Sequence, residues 1–334
     1  MAYTTIDNPE LYFQTKLYTG NGSTNAITLD GDEDMSPNVV WIKERSETGE
    51  HALFDTVRGV NNFLQPSNNN ADNTSRSDVL TAFGSDGFTL GADGDDYAIN
   101  QNTNTYVAWC WKESATAGFD IVAYTGTGSA RTISHSLSAV PHFILQKERN
   151  EASNWKVYHH KNTSAPETDY LTFNSTAATD DYADYWNDTA PTSSVYTVGS
   201  AADINGSSDT YVTYLWTGIQ GFSKFGSYTG NGNVDGTFVY TGFKPSFVIC
   251  KKSNNTEDWG IWGFYPAYNV IDRFLYGNAS NAEYTSISPG DFLSNGFKLR
   301  TSDGKFNNSG DTYIYMAFAE APFVNSNGVP CNAR

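Results

Sequence analysis

The chain has 334 residues, 37 acidic against 20 basic side chains and a formal charge of −17, with aromatics at 15% and charged residues at 17%. So many aromatics and so few charges exclude a disordered chain and favour a folded, β-rich one. No cluster of Lys and Arg is present to neutralise phosphates, and no apolar run of about 18 residues could span a bilayer, so neither nucleic acid nor membrane is an expected partner.

In chain order, the opening Met1-Ala-Tyr-Thr-Thr-Ile-Asp-Asn-Pro9 carries neither the basic nor the apolar stretch of a secretory signal. Residues 1–14 read as a docking segment that orders in a complex, or as a frayed end. Beyond them one unit is written three times. Tyr18-Thr-Gly-Asn-Gly22 returns as Tyr124-Thr-Gly-Thr-Gly128 and Tyr228-Thr-Gly-Asn-Gly232. Pro37-Asn-Val-Val-Trp-Ile-Lys43 returns as Pro141-His-Phe-Ile-Leu-Gln-Lys147 and Pro245-Ser-Phe-Val-Ile-Cys-Lys251, and Thr105-Tyr-Val-Ala-Trp109 as Thr210-Tyr-Val-Thr-Tyr214 and Thr312-Tyr-Ile-Tyr-Met316. The landmarks keep their order at spacings of 102–106 residues, which predicts three tandem repeats near 15–114, 118–217 and 222–323, then a tail over 324–334. Within each unit, short runs of β-branched and aromatic residues are bounded by Gly, Asn, Asp and Pro, and no helical stripe of apolar residues appears. The expected fold is all-β, with each repeat a β-sandwich of about 100 residues.

The last strand of each unit is apolar on both alternating faces, as in Tyr106-Val-Ala-Trp-Cys-Trp111. One face fills a sandwich, and the other needs a cover from a neighbouring repeat, another subunit or a loop. A one-residue slip would exchange the two faces, so pattern does not say which is which. Trp109, Trp111, Tyr214, Trp216, Met316 and Phe318 are the assembly candidates, and a homo-oligomer, a trimer among the options, is the expectation.

The chemical candidates are sparse. Asp30-Gly-Asp32-Glu-Asp34 alternates carboxylates as a calcium loop does, but Met35 and Trp41 stand where an EF-hand needs Gly and Glu. His159-His160 lacks a third ligand at a metal spacing. Cys110, Cys250 and Cys331 form no CxxC pair, and the first two sit in apolar runs as small buried hydrophobes. No Gly-x-Ser-x-Gly elbow or phosphate cradle occurs, so neither an enzyme nor a cofactor is expected. For sugar stacking, the residues to test are Tyr265 and Tyr268 in Gly263-Phe-Tyr-Pro-Ala-Tyr-Asn269, with Trp262 beside them. Trp262 shares its place with Phe54 and Tyr158, and packing is its other reading.

The opening nonapeptide, Phe54-Asp-Thr-Val-Arg-Gly59, Val107-Ala-Trp-Cys-Trp-Lys112, Tyr185-Trp-Asn-Asp-Thr-Ala-Pro-Thr-Ser-Ser-Val195 and Tyr313-Ile-Tyr-Met-Ala-Phe-Ala-Glu320 resemble a family of uncharacterised virion proteins of tailed marine bacteriophages. The resemblance covers almost the whole chain and brings no catalytic residues. It implies a jelly-roll or concanavalin-like sandwich in a tail or fibre appendage, or on the capsid surface as a decoration protein. It also implies a place in the virion, assembly in the bacterial cytoplasm, other virion proteins as partners, and contact with a host surface glycan. A lectin-like carbohydrate-binding module and a glycan depolymerase are the alternatives.

Overall fold

A computed structural model describes residues 2–94, 97–264 and 271–331. The chain is all-β: among the described residues every strand pairs antiparallel, and the helical turns are three short ones, at Pro9–Leu11, Ala183–Trp186 and Ala202–Asn205.

The strands fall into three segments with one pairing order. In the first, Phe13–Thr19 pairs with Thr105–Trp111, which pairs with Val39–Glu44, which pairs with Ala52–Asp55. The second runs Phe119–Thr125, Thr210–Trp216, Phe143–Glu148, Lys156–His159, and the third Ser223–Thr229, Thr312–Pro322, Phe243–Lys252, Trp259–Trp262. Two shorter strands extend the second of these sheets and one the third. A small sheet accompanies each large one: Asn25–Thr28, Gly87–Leu90 and Leu80–Gly84; then Arg131–Ser134 with Val195–Val198; then Phe238–Tyr240, Gly296–Leu299 and Gly290–Leu293.

Alternation along the central strands explains the layers. Tyr106, Ala108 and Cys110 point one way and meet Ile27, Phe88 and Leu90 of the small sheet, closing a sandwich-like core. Val107, Trp109 and Trp111 point the other way into a core shared by all three segments, where Tyr214 and Trp216 arrive from the second and Met316 and Phe318 from the third. The Trp111 ring lies 6.2 Å from Trp216 and 5.8 Å from Phe318, in edge-on contact with both.

Of the covers left open by the sequence, these six residues have the neighbouring segments. Trp109, Trp111, Tyr214, Trp216, Met316 and Phe318 are all buried within one chain, and the cover for each segment is the other two. The apolar faces that motivated an oligomer meet each other instead. Trp216 stacks on Phe119 at 4.8 Å, and its indole N–H has no acceptor, so its contribution is packing alone. Trp216→Ser is therefore expected to lower the stability of the single chain by about 3–5 kcal/mol. Val234→Ser, at a side chain 64% exposed, should change it by less than about 0.5 kcal/mol. Urea midpoints measure both, and equal midpoints would refute the shared core.

The first residues dock on the chain's own third segment. Ile6 joins the shared core, Tyr3 Oη donates to Gly242 O at 2.6 Å, and Asn8 caps the turn that packs against Thr312–Pro322. The tail meets them, with Asp7 accepting from the Ser326 N–H at 2.7 Å.

Candidate functional site

Features that recur in all three segments prove to be scaffold. A buried Asn holds each Tyr-Thr-Gly-x-Gly turn: Asn100, Asn205 and Asn307 accept through Oδ1 from the N–H of Asn21, Thr127 and Asn231 at 2.9–3.1 Å. Their amides donate to two carbonyls each, Ser23 and Gly91, Ser129 and Gly199, Asn233 and Thr301, at 2.6–2.8 Å. The motif tyrosines donate to Ile99, Ile204 and Phe306 carbonyls. Gly22, Gly128 and Gly232 sit at φ of 61–70°, where a side chain would be strained. The N–H groups at the x and second Gly positions of each turn are thus spent within the chain. The Asn residues stand six positions before Tyr106, Tyr211 and Tyr313, a signal present in the sequence and masked by its many other asparagines.

A second recurring set closes the segments into a ring. Trp155 Nε1 donates to Gln65 O and Trp259 Nε1 to Thr172 O, each at 3.1 Å, and His51 Nε2 lies 2.8 Å from Tyr276 O. The second segment thus holds the first, the third holds the second, and the first holds the third. Backbone bonds repeat the pattern, from Gly49 to Ser280, Ser153 to Asn69 and Glu257 to Thr176, at 2.8–2.9 Å. Lys43, Lys147 and Lys251 lie buried beside these junctions, their ammonium groups on carbonyls, and burial pushes each down to about 8.

The three seams differ only in what fills them, and that difference locates the candidate site. Pairing register makes Thr15, Ile121 and Phe225 equivalent, because they sit opposite Trp109, Tyr214 and Met316. Ser246 corresponds to His142 and Phe264 to His160 in the same way. Between the second and third segments, His142 and His160 stack at 3.9 Å against Phe225, and His160 Nε2 lies 2.9 Å from Phe225 O. Between the first and second, a buried ion network does the filling. Arg58 bonds Asp55, Asp72 and Leu53 O, and Tyr214 Oη donates to Asp55 at 2.6 Å. Between the third and first, Ser246 replaces a histidine and Thr15 a phenylalanine. A cavity of about 300 Å³ remains, lined by Phe13, Leu17 and Phe264 together with Glu10, Asp30 and Glu320.

Most of the sequence candidates lie elsewhere. Trp262 is fully buried between Phe292 and Phe297 in the third sandwich-like core, so it cannot stack on a sugar; it has the packing role of Phe54 and Tyr158. Tyr265 and Tyr268 lie outside the described residues. Asp30 pairs with Lys16, while Asp32 and Asp34 are exposed, and among the described residues no group of three or more His, Cys, Asp or Glu is placed to hold a metal. His159 and His160 use their ring nitrogens on backbone groups, Tyr315 O, the Lys161 N–H and Phe225 O. The carboxyls of Glu113 and Asp120 share a hydrogen bond. Burial first, then that bond, push Glu113 up to about 7. Glycosidase carboxyls stand about 5–10 Å apart, so this pair lacks that geometry. Cys110 and Cys250 are buried free thiols, their ionisation pushed up by burial.

Residues 8–322 match the family model of the domain of unknown function DUF7483. The chain belongs to that family. A search of curated proteins finds no match. The family description carries no activity, so function rests on the seams themselves.

Proposed function

We propose that the protein is a non-catalytic structural component of a bacteriophage virion, an appendage-type module that contacts the host surface. The sequence resemblance supports the particle. One structural observation supports the module: the recurring polar residues hold turns and junctions, and what is left to vary sits at the seams between segments. A ring closed within one chain suits a compact adaptor, because it presents three similar edges without needing further copies to hide apolar surface. Capsid decoration is the other position compatible with this architecture.

Mass spectrometry of purified particles tests the proposal, followed by labelling with an antibody against the chain and electron microscopy. The expected result is the intact chain in washed particles, with label at the tail. Label on the capsid would assign decoration. Recovery only from the soluble fraction of infected cells would overturn the reading.

A further inference from the structure

We infer that the groove along the open edge of the third small sheet binds an acidic sugar, a ring that carries a carboxylate. The inference deepens the host-contact part of the reading above and rests on it for its biological setting.

The three edges serve as an internal control. Ile27, Ile133 and Val239 hold one fold position, opposite Phe88, Tyr196 and Phe297, and each is buried in its own sandwich-like core. The residues on either side of them are exposed. In the first two segments these are small, Ala26 and Thr28, then Thr132 and Ser134. In the third they are Phe238 and Tyr240, 43% and 50% exposed. Lys224 is as singular, because register gives its place to Gln14 in the first segment and Asp120 in the second. Core packing does not explain two large apolar side chains left in water beside a cation, where the sister segments fold with small ones. Exposed apolar groups gathered in this way mark a contact surface.

The lining defines the ligand. The groove holds about 360 Å³, with Lys161, Lys224, Ser227, Phe238, Tyr240 and Tyr315 among its walls. Its charged groups are both cationic, in a chain of formal charge −17, and among the described residues neither lysine forms an ion pair. Lys224 Nζ spends one of its three protons on Tyr240 O at 2.6 Å. Burial lowers that ammonium from its ordinary pKa, and no carboxylate offsets the effect. The Tyr315 side chain is 3% exposed, and its hydroxyl has no hydrogen-bond partner among the described residues. Two ammonium groups and a spare hydroxyl donor together suit a carboxylate. Phe238 and Tyr240 stand two positions apart on one strand face, so their rings start about 6.5–7 Å from each other. Tyr240 is held in place by Lys224, 5.1 Å over its ring, and by the Tyr3 hydroxyl at 3.4 Å. Fixed, half-exposed rings at this spacing suit the apolar faces of a saccharide.

Acidic macromolecules of other kinds fit less well. An added peptide strand needs the free edge of Phe238–Tyr240, and Lys224 already bonds across it. A nucleic acid needs many cations along its phosphates, whereas this groove supplies two in an acidic chain.

The test uses the purified full chain and saturation-transfer NMR with glucuronate, galacturonate and N-acetylneuraminate. Glucose and galactose serve as uncharged counterparts, and hexaglutamate and benzoate as acids without a sugar ring. At least one acidic sugar should show transfer, and glucose and galactose should bind at least about fivefold more weakly. Tyr240→Thr, which copies the first segment at an exposed position, should weaken acidic-sugar binding by at least about tenfold. Lys224→Gln, which keeps a donor for Tyr240 O, should weaken it in the same direction if the threonine variant does not fold. Transfer to none of the acidic sugars, equal binding of glucose or galactose, a preference for hexaglutamate or benzoate, or binding unchanged in a folded variant would each overturn the inference. Acidic-sugar binding by a chain absent from particles would leave the site standing and remove the virion reading. A particle protein that binds no acidic sugar would do the reverse.

Discussion

Arg58→Ala is expected to destabilise the chain by about 3–5 kcal/mol at neutral pH, because it strands the buried Asp55 carboxylate and leaves Asp72 with Arg149 alone. The Arg58 and Asp55 side chains are fully shielded from solvent and 2.5 Å apart, and Asp72 is 3% exposed. Burial alone would raise the Asp55 carboxyl. The Arg58 charge and the bonds from Tyr214 and Arg58 more than reverse this and hold it below its ordinary value. Asp55 therefore supports the fold above its unfolded pKa of about 3.9, and that support is lost as pH falls through the depressed folded value. Without the guanidinium the burial effect is opposed only by the bonds from the Tyr214 hydroxyl and the residue 58 N–H, and Asp55 would take up a proton at higher pH than it does in the wild-type fold. The gap between wild type and Arg58→Ala should accordingly narrow as pH falls from 7.5 toward about 5. Urea unfolding at both pH values measures the gap, and a gap independent of pH would show that lost packing, not an unpaired charge, is responsible. Arg58→Met with Asp55→Leu should recover part of the loss, since it removes the unpaired Asp55 charge and leaves Asp72 paired with Arg149.

How much of this was legible beforehand differs by feature. The strands, their bounding turns and the order of landmarks are written in the spacing of Tyr18, Pro37, Thr105 and their counterparts. The doubly apolar strand Tyr106–Trp111 announced that its second face needed a cover. It did not say what the cover was, because the partners Trp216 and Phe318 lie 105 and 207 residues further on and a second subunit would satisfy the same pattern. Trp262 held two readings, packing and sugar stacking, for a related reason: an aromatic next to a loop with Gly and Pro looks alike whether it faces a core or a ligand, and here it faces the core. The ion network was hidden because its members are far apart, Asp55 and Tyr214 being separated by 159 positions. The cavity was invisible because it arises from a comparison. Thr15 is an ordinary strand residue until Ile121 and Phe225 are seen to occupy its place elsewhere.

The histidines are expected to make the fold acid-labile, with an effect well above the range where carboxylates titrate. His51 accepts from the Trp41 indole N–H at Nδ1 and faces Tyr276 O with Nε2, both at 2.8 Å. His159 accepts from the Lys161 N–H at 3.0 Å and faces Tyr315 O at 3.1 Å. These partners assign the Nε2–H tautomer to both rings, and a proton on Nδ1 would set two donors face to face. Burial first, then the Lys43 charge for His51 and the His160 charge for His159, push each down to about 3. Burial and His160 also push His142 down, to about 4, and burial lowers His160 itself. The unfolded chain binds these protons near pH 6.5 and the folded chain does not. Stability is therefore complete above about 6.5 and falls as pH drops toward the folded values, by about 1.4 kcal/mol per pH unit for each buried ring. His51 and His159 together should remove about 4 kcal/mol by pH 5, a large share of the roughly 5–15 kcal/mol that a domain possesses. The other segments supply the control. Where the first has Trp41 beside His51, the second has Leu145 with Trp155 and the third Ile249 with Trp259, so bulk has moved across the strand pair without a change in its sum. Trp41→Leu with His51→Trp copies the second segment. It should fold, donate to Tyr276 O through the new indole, and reduce the loss between pH 6.5 and 5 by about 2 kcal/mol. Urea midpoints across that interval decide the matter: a wild-type midpoint flat from pH 7 to 5 refutes the histidine account, and an unaltered slope in the double variant removes His51 from it.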